Sequence, residues 1–211
     1  MRLGRGKGGW RAVALALLLS GCAGSSGPPP ITSLEDRGCA PTPDLSTARP
    51  VFLSADKPVT VDLDRGAACL ALADGSRGVY AVFALPESAT PYLVTVASLP
   101  QGETLFSPRA TVLDASGAMV QELPRGAFMF HGATLSVAFR THGQERFVVV
   151  TSDSGSVGQQ QPQLASGVQA TPVVAGPVIF FTHSGWEKSQ NYTYAYNGRV
   201  SVSAQPVPTA N

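Results

Sequence analysis

The sequence predicts an all-β protein, an antiparallel β-sandwich of jelly-roll or Ig-like type in a single domain. Short segments rich in Val, Leu, Phe and Thr recur from Val51 to Gln205, separated by turn dipeptides such as Asp74-Gly75, Ser116-Gly117, His142-Gly143 and Asn197-Gly198. Alternation is clearest for Leu135, Val137 and Phe139 against Thr134, Ser136, Arg140 and His142, and Val200 and Val202 against Ser201 and Ser203 repeat it. Alternation with period two puts one face in a core and the other in water. Beyond the N-terminal leader no helical apolar period persists for three turns, so packed sheets are the remaining way to build a core.

Residues 1–21 read as an export signal. Arg2, Arg5, Lys7 and Arg11 form a positive region without an acid, and Ala12 to Leu19 is an apolar run of eight. A spanning helix needs about 20 apolar residues, whereas a secretory signal needs far fewer. Leu19-Ser20-Gly21-Cys22 follows at once and resembles the lipobox of bacterial lipoproteins. The resemblance implies cleavage before Cys22, acylation of Cys22 and a membrane partner held through lipid. Several acyl chains anchor a soluble domain stably where one does not. Ala23 in place of Asp implies the outer membrane, with the domain facing the periplasm.

Loss of residues 1–21 leaves 190 residues, enough for one sizeable core. It also removes four of the fifteen Lys and Arg and none of the fourteen Asp and Glu, taking the net charge to −3. Such a surface carries no electrostatic footprint for nucleic acid, which is excluded as a partner. Residues 22–50 are read as a Gly/Ser/Pro-rich tether and lead-in, with Pro28, Pro29 and Pro30 as a stiff spacer. Cys39 and Cys69 remain once Cys22 is committed to lipid, and an even pair in an oxidising compartment predicts a disulfide.

The β domain is assigned to residues 51–211. Its expected strands are 51–55, 59–64, 68–73, 79–85, 92–99, 110–114, 134–142, 146–152, 178–182 and 199–205. Asn197-Gly198 suits a tight type I′ turn, predicting a C-terminal hairpin of Tyr192–Tyr196 with Arg199–Gln205. Asp153 to Pro177, with three consecutive glutamines and three prolines, is expected to be a flexible insertion, disordered or loosely draped.

No catalytic or cofactor motif emerges. The three histidines are His131, His142 and His183, and none stands in a metalloprotease, nucleophile-elbow or phosphate-loop pattern. His183-Ser184 is an adjacency, whereas a triad needs nucleophile, base and acid to meet in space. Asp62 and Asp64 share an outward strand face, but calcium needs six to eight oxygens and a glycosidase acid needs an apolar setting. The most distinctive chemistry is Phe180 to Tyr196, which holds Trp186, Tyr192, Tyr194 and Tyr196. Those aromatics read as core edging, as a partner surface, or as a platform for stacking a sugar.

Leu105-Phe106-Ser107-Pro108-Arg109-Ala110-Thr111-Val112-Leu113-Asp114, followed by Arg146-Phe147-Val148-Val149-Val150-Thr151-Ser152, resembles the central region of the maltose-operon periplasmic protein family. The resemblance covers residues 55 to 205 and implies a periplasm-facing, non-enzymatic β domain associated with maltodextrin uptake. The glutamine-rich stretch and the Cys39/Cys69 pair depart from that pattern. Three functional readings therefore stand: a non-enzymatic, membrane-anchored binding or envelope-assembly module contacting an envelope protein, a carbohydrate-binding accessory of maltodextrin uptake, and a hydrolase with dispersed residues. Trp186, Tyr192 and Tyr194 are the candidate ligand-binding residues, and no cofactor is expected.

Overall fold

The computed structural model describes residues 27–54, 56–175 and 178–207. Among them there is no α-helix, and the strands in chain order are β1 (Arg49–Pro50), β2 (Val59–Leu63), β3 (Cys69–Ala71), β4 (Arg77–Ala84), β5 (Tyr92–Leu99), β6 (Thr104–Phe106), β7 (Pro108–Leu113), β8 (Met119–Leu123), β9 (Met129–His131), β10 (Thr134–Arg140), β11 (Phe147–Ser152), β12 (Gln160–Ala175), β13 (Val178–Ala195) and β14 (Gly198–Pro206). They form three sheets. The first runs β1-β4-β11-β7-β8 with β3 also on β4, the second β2-β14-β5-β10-β9, and the third β12-β13-β6. Pairing is antiparallel except for β1 with β4 and β6 with β13.

The alternation read from the sequence positions the core. On β5, Tyr92, Val94, Val96 and Ser98 are buried while the intervening residues are partly exposed. Val200, Val202 and Ala204 of the neighbouring β14 join them, as do Leu135 and Phe139 of β10. Facing residues of the first sheet, among them Val79 and Phe83 of β4, Val148 and Val150 of β11 and Val112 of β7, belong to the same cluster.

β4 and β11 are apolar on both faces, and both faces are covered. Leu70, Tyr80, Val82, Leu113 and Val149 form a second cluster against Leu45 and Ala48 of the lead-in. The lead-in is therefore part of the fold and not a free spacer. Leu34 lies in the main core at 5% exposure, Ala40 bridges Leu70, and β1 adds to the edge of β4. Cys39 and Cys69 are disulfide-bonded with Cα atoms 4.6 Å apart, as the cysteine count predicts. The bond ties the lead-in to β3.

Three further expectations are corrected. Residues 160–175 form strand β12, paired with β13 over sixteen consecutive register positions. A polar strand cannot build a core of its own, yet it needs only a partner strand to satisfy its backbone. The Tyr192–Tyr196 and Arg199–Gln205 segments do not pair, because β13 lies beside β6 while β14 lies between β2 and β5. Asn197 has no positive φ, so the type I′ turn is absent. Asn197 and Gly198 instead carry the chain from one sheet to another. Gly198 is required there, since its φ is 147° and a Cβ would fall 2.9 Å from the backbone nitrogen of Phe106. The stretch 51–55 is irregular over its described residues, with one bridge from Leu53 to Ala204.

Candidate functional site

Tyr192 and Tyr194 sit at the base of β13, beside β6, and each is only 3% exposed. The ring of Tyr192 stacks on Phe130 of β9 with centroids 6.5 Å apart and planes at 13°. Arg125, in the short 3-10 turn Arg125–Ala127, lies over the Tyr194 ring at 4.6 Å and donates to its hydroxyl. Burial pushes both phenols above their ordinary value, with Arg125 pulling Tyr194 back in part. These two tyrosines are core residues and offer no ring face to a ligand, which corrects their reading as a ligand-binding surface. The physical reason is β6, whose Leu105 and Phe106 are fully buried beside them and fill the same apolar layer. The side chain of Trp186 lies outside the described residues, as do those of His183 and Ser184.

The acidic and histidine candidates resolve into surface and loop interactions. Asp62 receives Nε and Nη2 of Arg199 at 2.7 and 3.1 Å across the β2–β14 pair, and Gln101 donates to it as well. The Arg199 hydrogen bonds hold its carboxyl below the usual range. Asp64 accepts from the Gly66 amide, so the two carboxylates have separate partners. Among the described residues, no three His, Cys, Asp or Glu side chains come together as a metal site. His131 Nδ1 lies 3.1 Å from Ser136 Oγ at an exposed cross-strand position, with no carboxylate hydrogen-bonded to it among the described residues.

His142-Gly143 is not a hairpin turn; it links β10 of the second sheet to β11 of the first. Buried Glu145 organises this crossing by accepting from the His142 and Gly143 amides at 2.9 and 3.0 Å and facing His142 Nδ1 at 3.3 Å. Burial pushes Glu145 up, but those hydrogen bonds together hold it below its ordinary 4.5. A depressed folded value means that this contribution to stability is present above pH 4.5 and lost as pH falls through the folded value. Melting temperature plotted against pH is therefore expected to fall in acid less steeply for Glu145→Gln than for the parent. Parallel curves would remove Glu145 from that role.

The residues that sequence reasoning missed are those receiving the N-terminal segment. Asn197 accepts from the Ile31 amide at 2.6 Å and donates to the Pro29 carbonyl at 3.0 Å. The Tyr196 amide donates to the Ile31 carbonyl, and Thr104 Oγ1 donates to the Pro28 carbonyl. Gly27 already lies against the Gln101 carbonyl, leaving no room for a Cβ. Asn197 is buried at 3% exposure, yet Asn-Gly reads in sequence as a surface turn. Beside this clamp, residues 30–37 and Arg65 line a cleft of about 470 Å³.

Comparison with known proteins adds no assignment: no family model matches the chain, and no curated protein or solved structure matches it.

Proposed function

We propose that this chain is an acylated, membrane-anchored binding or envelope-assembly module of a bacterial cell envelope, with a β-sandwich body of jelly-roll or Ig-like type. The Leu19–Cys22 pattern carries the anchor. A disulfide within the body accords with an oxidising compartment. The sandwich is supported by the single apolar cluster to which the first and second sheets both contribute. Among the described residues no helix is long and apolar enough to cross a membrane.

The anchored-module reading outranks the other two on particular residues. A sugar platform loses two of its three aromatics to the core, and among the described residues no carboxylate is hydrogen-bonded to the His131–Ser136 pair, while the side chain of His183 lies outside them. Cys22→Ser is expected to shift the protein from the membrane fraction to the soluble fraction, or to leave the leader uncleaved. Normal cleavage with unchanged membrane fractionation would defeat the proposal.

A further inference from the structure

The segment that Asn197 clamps continues into the cleft beside it. Residues 30–37 and Arg65 line about 470 Å³, a volume within the usual range of small-molecule sites, about 300–1,000 Å³. One wall of the cleft is held from behind. Arg77 Nη1 donates to the Leu34 and Glu35 carbonyls at 3.2 and 2.7 Å, and the Arg37 amide closes a turn onto the Leu34 carbonyl at 3.1 Å. The Leu34 side chain is buried in the main core, and the disulfide fixes Cys39 two residues beyond the turn. With its backbone so restrained, the turn presents exposed Glu35 and Asp36 to the cleft that exposed Arg65 also lines.

Charges of both signs therefore line one cleft: Glu35 and Asp36, Arg37 and Arg65. Among the described residues none of the four enters an ion pair, whereas Arg109, Arg146 and Arg199 each face a carboxylate. Arg37 donates from Nη2 to the Ala67 carbonyl at 2.5 Å while its Nη1 is buried without a partner, so its charge meets only a carbonyl dipole. Unpaired charges of both signs in one cleft complement a compact zwitterion, with an anionic group for the arginines and a cation for the carboxylates. That cation is a primary ammonium. No aromatic side chain lines the cleft to hold a quaternary one, whereas Glu35 and Asp36 can accept the three donors of an ammonium. A ligand with negative charge alone would be repelled by the same two carboxylates.

A bilayer supplies that chemistry within reach. Pro30, which lines the cleft, is eight residues from Cys22, and eight residue steps span at most about 29 Å. We infer that the cleft binds the phosphoethanolamine headgroup of a membrane lipid, its phosphate on Arg65 with the Arg37 charge behind, its ammonium on Glu35 and Asp36. Thr32 and Ser33, both exposed in the cleft, offer hydroxyls to the remaining phosphate oxygens. Such a contact would hold the anchored body in one orientation on the membrane. The inference rests on the anchored reading for the source of the headgroup, while the chemistry of the cleft is measured separately.

The experiment uses the mature chain isolated from membranes in detergent. Calorimetric titration with water-soluble glycerophosphoethanolamine is expected to show saturable binding, about tenfold or more tighter than that of glycerophosphocholine, glycerophosphoglycerol or inorganic phosphate. Arg65→Gln and Glu35→Gln should each weaken that binding about tenfold and leave the melting temperature unchanged, since both side chains are exposed. Glu87→Gln, whose side chain faces Arg146, should bind as the parent does. The source is read in vesicles of phosphatidylcholine with and without phosphatidylethanolamine, where amide exchange over residues 30–37 should slow only when phosphatidylethanolamine is present. No binding, equal affinity for all the probes, or parent affinity in both cleft variants overturns the zwitterion site. Binding of glycerophosphoethanolamine without slowed exchange in phosphatidylethanolamine vesicles overturns the lipid as its source. An N-terminal peptide without lipid overturns the anchor, while the titration still decides the cleft.

Discussion

Tyr194→Ala is expected to cost about 3–5 kcal/mol of stability, the usual penalty for truncating a buried aromatic. The ring is 3% exposed, and its loss strips Arg125 of both the face it covers and the hydroxyl to which it donates. Arg125 Nε is already buried without a partner, so the guanidinium would be left with little compensation. Met129, on β9, is 67% exposed and provides the control, since Met129→Ala should shift the denaturant midpoint little. Urea unfolding of both variants checks the contrast. A cost below about 1 kcal/mol for Tyr194→Ala would return the tyrosine to the surface and reopen the sugar-platform reading.

Replacing both Cys39 and Cys69 with alanine is expected to cost about 3.6 kcal/mol, from the loop entropy released across a separation of 30 residues. The loss should be local before it is global. Cys39 sits between Leu34, which belongs to the main core, and Ala40, which bridges Leu70. Amide exchange should therefore accelerate first at Ala40 and Ala71, which hydrogen-bond across that bridge. Equal protection in the parent and the double variant would show that packing alone holds the lead-in.

The all-β class was legible because period-two alternation survives wherever one strand face meets the core, as on β5 and β14. The disulfide was legible from cysteine parity. β4 and β11 were found as strands, but their two-sided burial depends on Leu45 and Ala48, whose local sequence reads as a proline-rich spacer. β6, β8 and β9 are three to five residues long, too short for periodicity to register. Tyr192 and Tyr194 share a face, as alternation requires, yet which face is buried is decided by β6 arriving from 89 residues earlier. Asn197-Gly198 carried a genuine turn signal. Its meaning changed because the asparagine amide bonds to Pro29 and Ile31, which no local window contains.

That clamp also sets when the molecule can become itself. Ile31 and Asn197 are 166 residues apart, and the proline carbonyl on the same amide is 168 away. A chain made or exported N-terminus first presents its opening segment long before the asparagine that receives it. β14, which Asn197 introduces, is the central bridge between β2 and β5. The second sheet therefore waits for the last strand, while β4, β7 and β11 can assemble earlier. Such a fold has high contact order and closes late, in a single step that joins beginning to end. Until that step, the exposed edges of β2 and β5 are open to foreign strands, and a chain truncated before Asn197 has no means of shutting them.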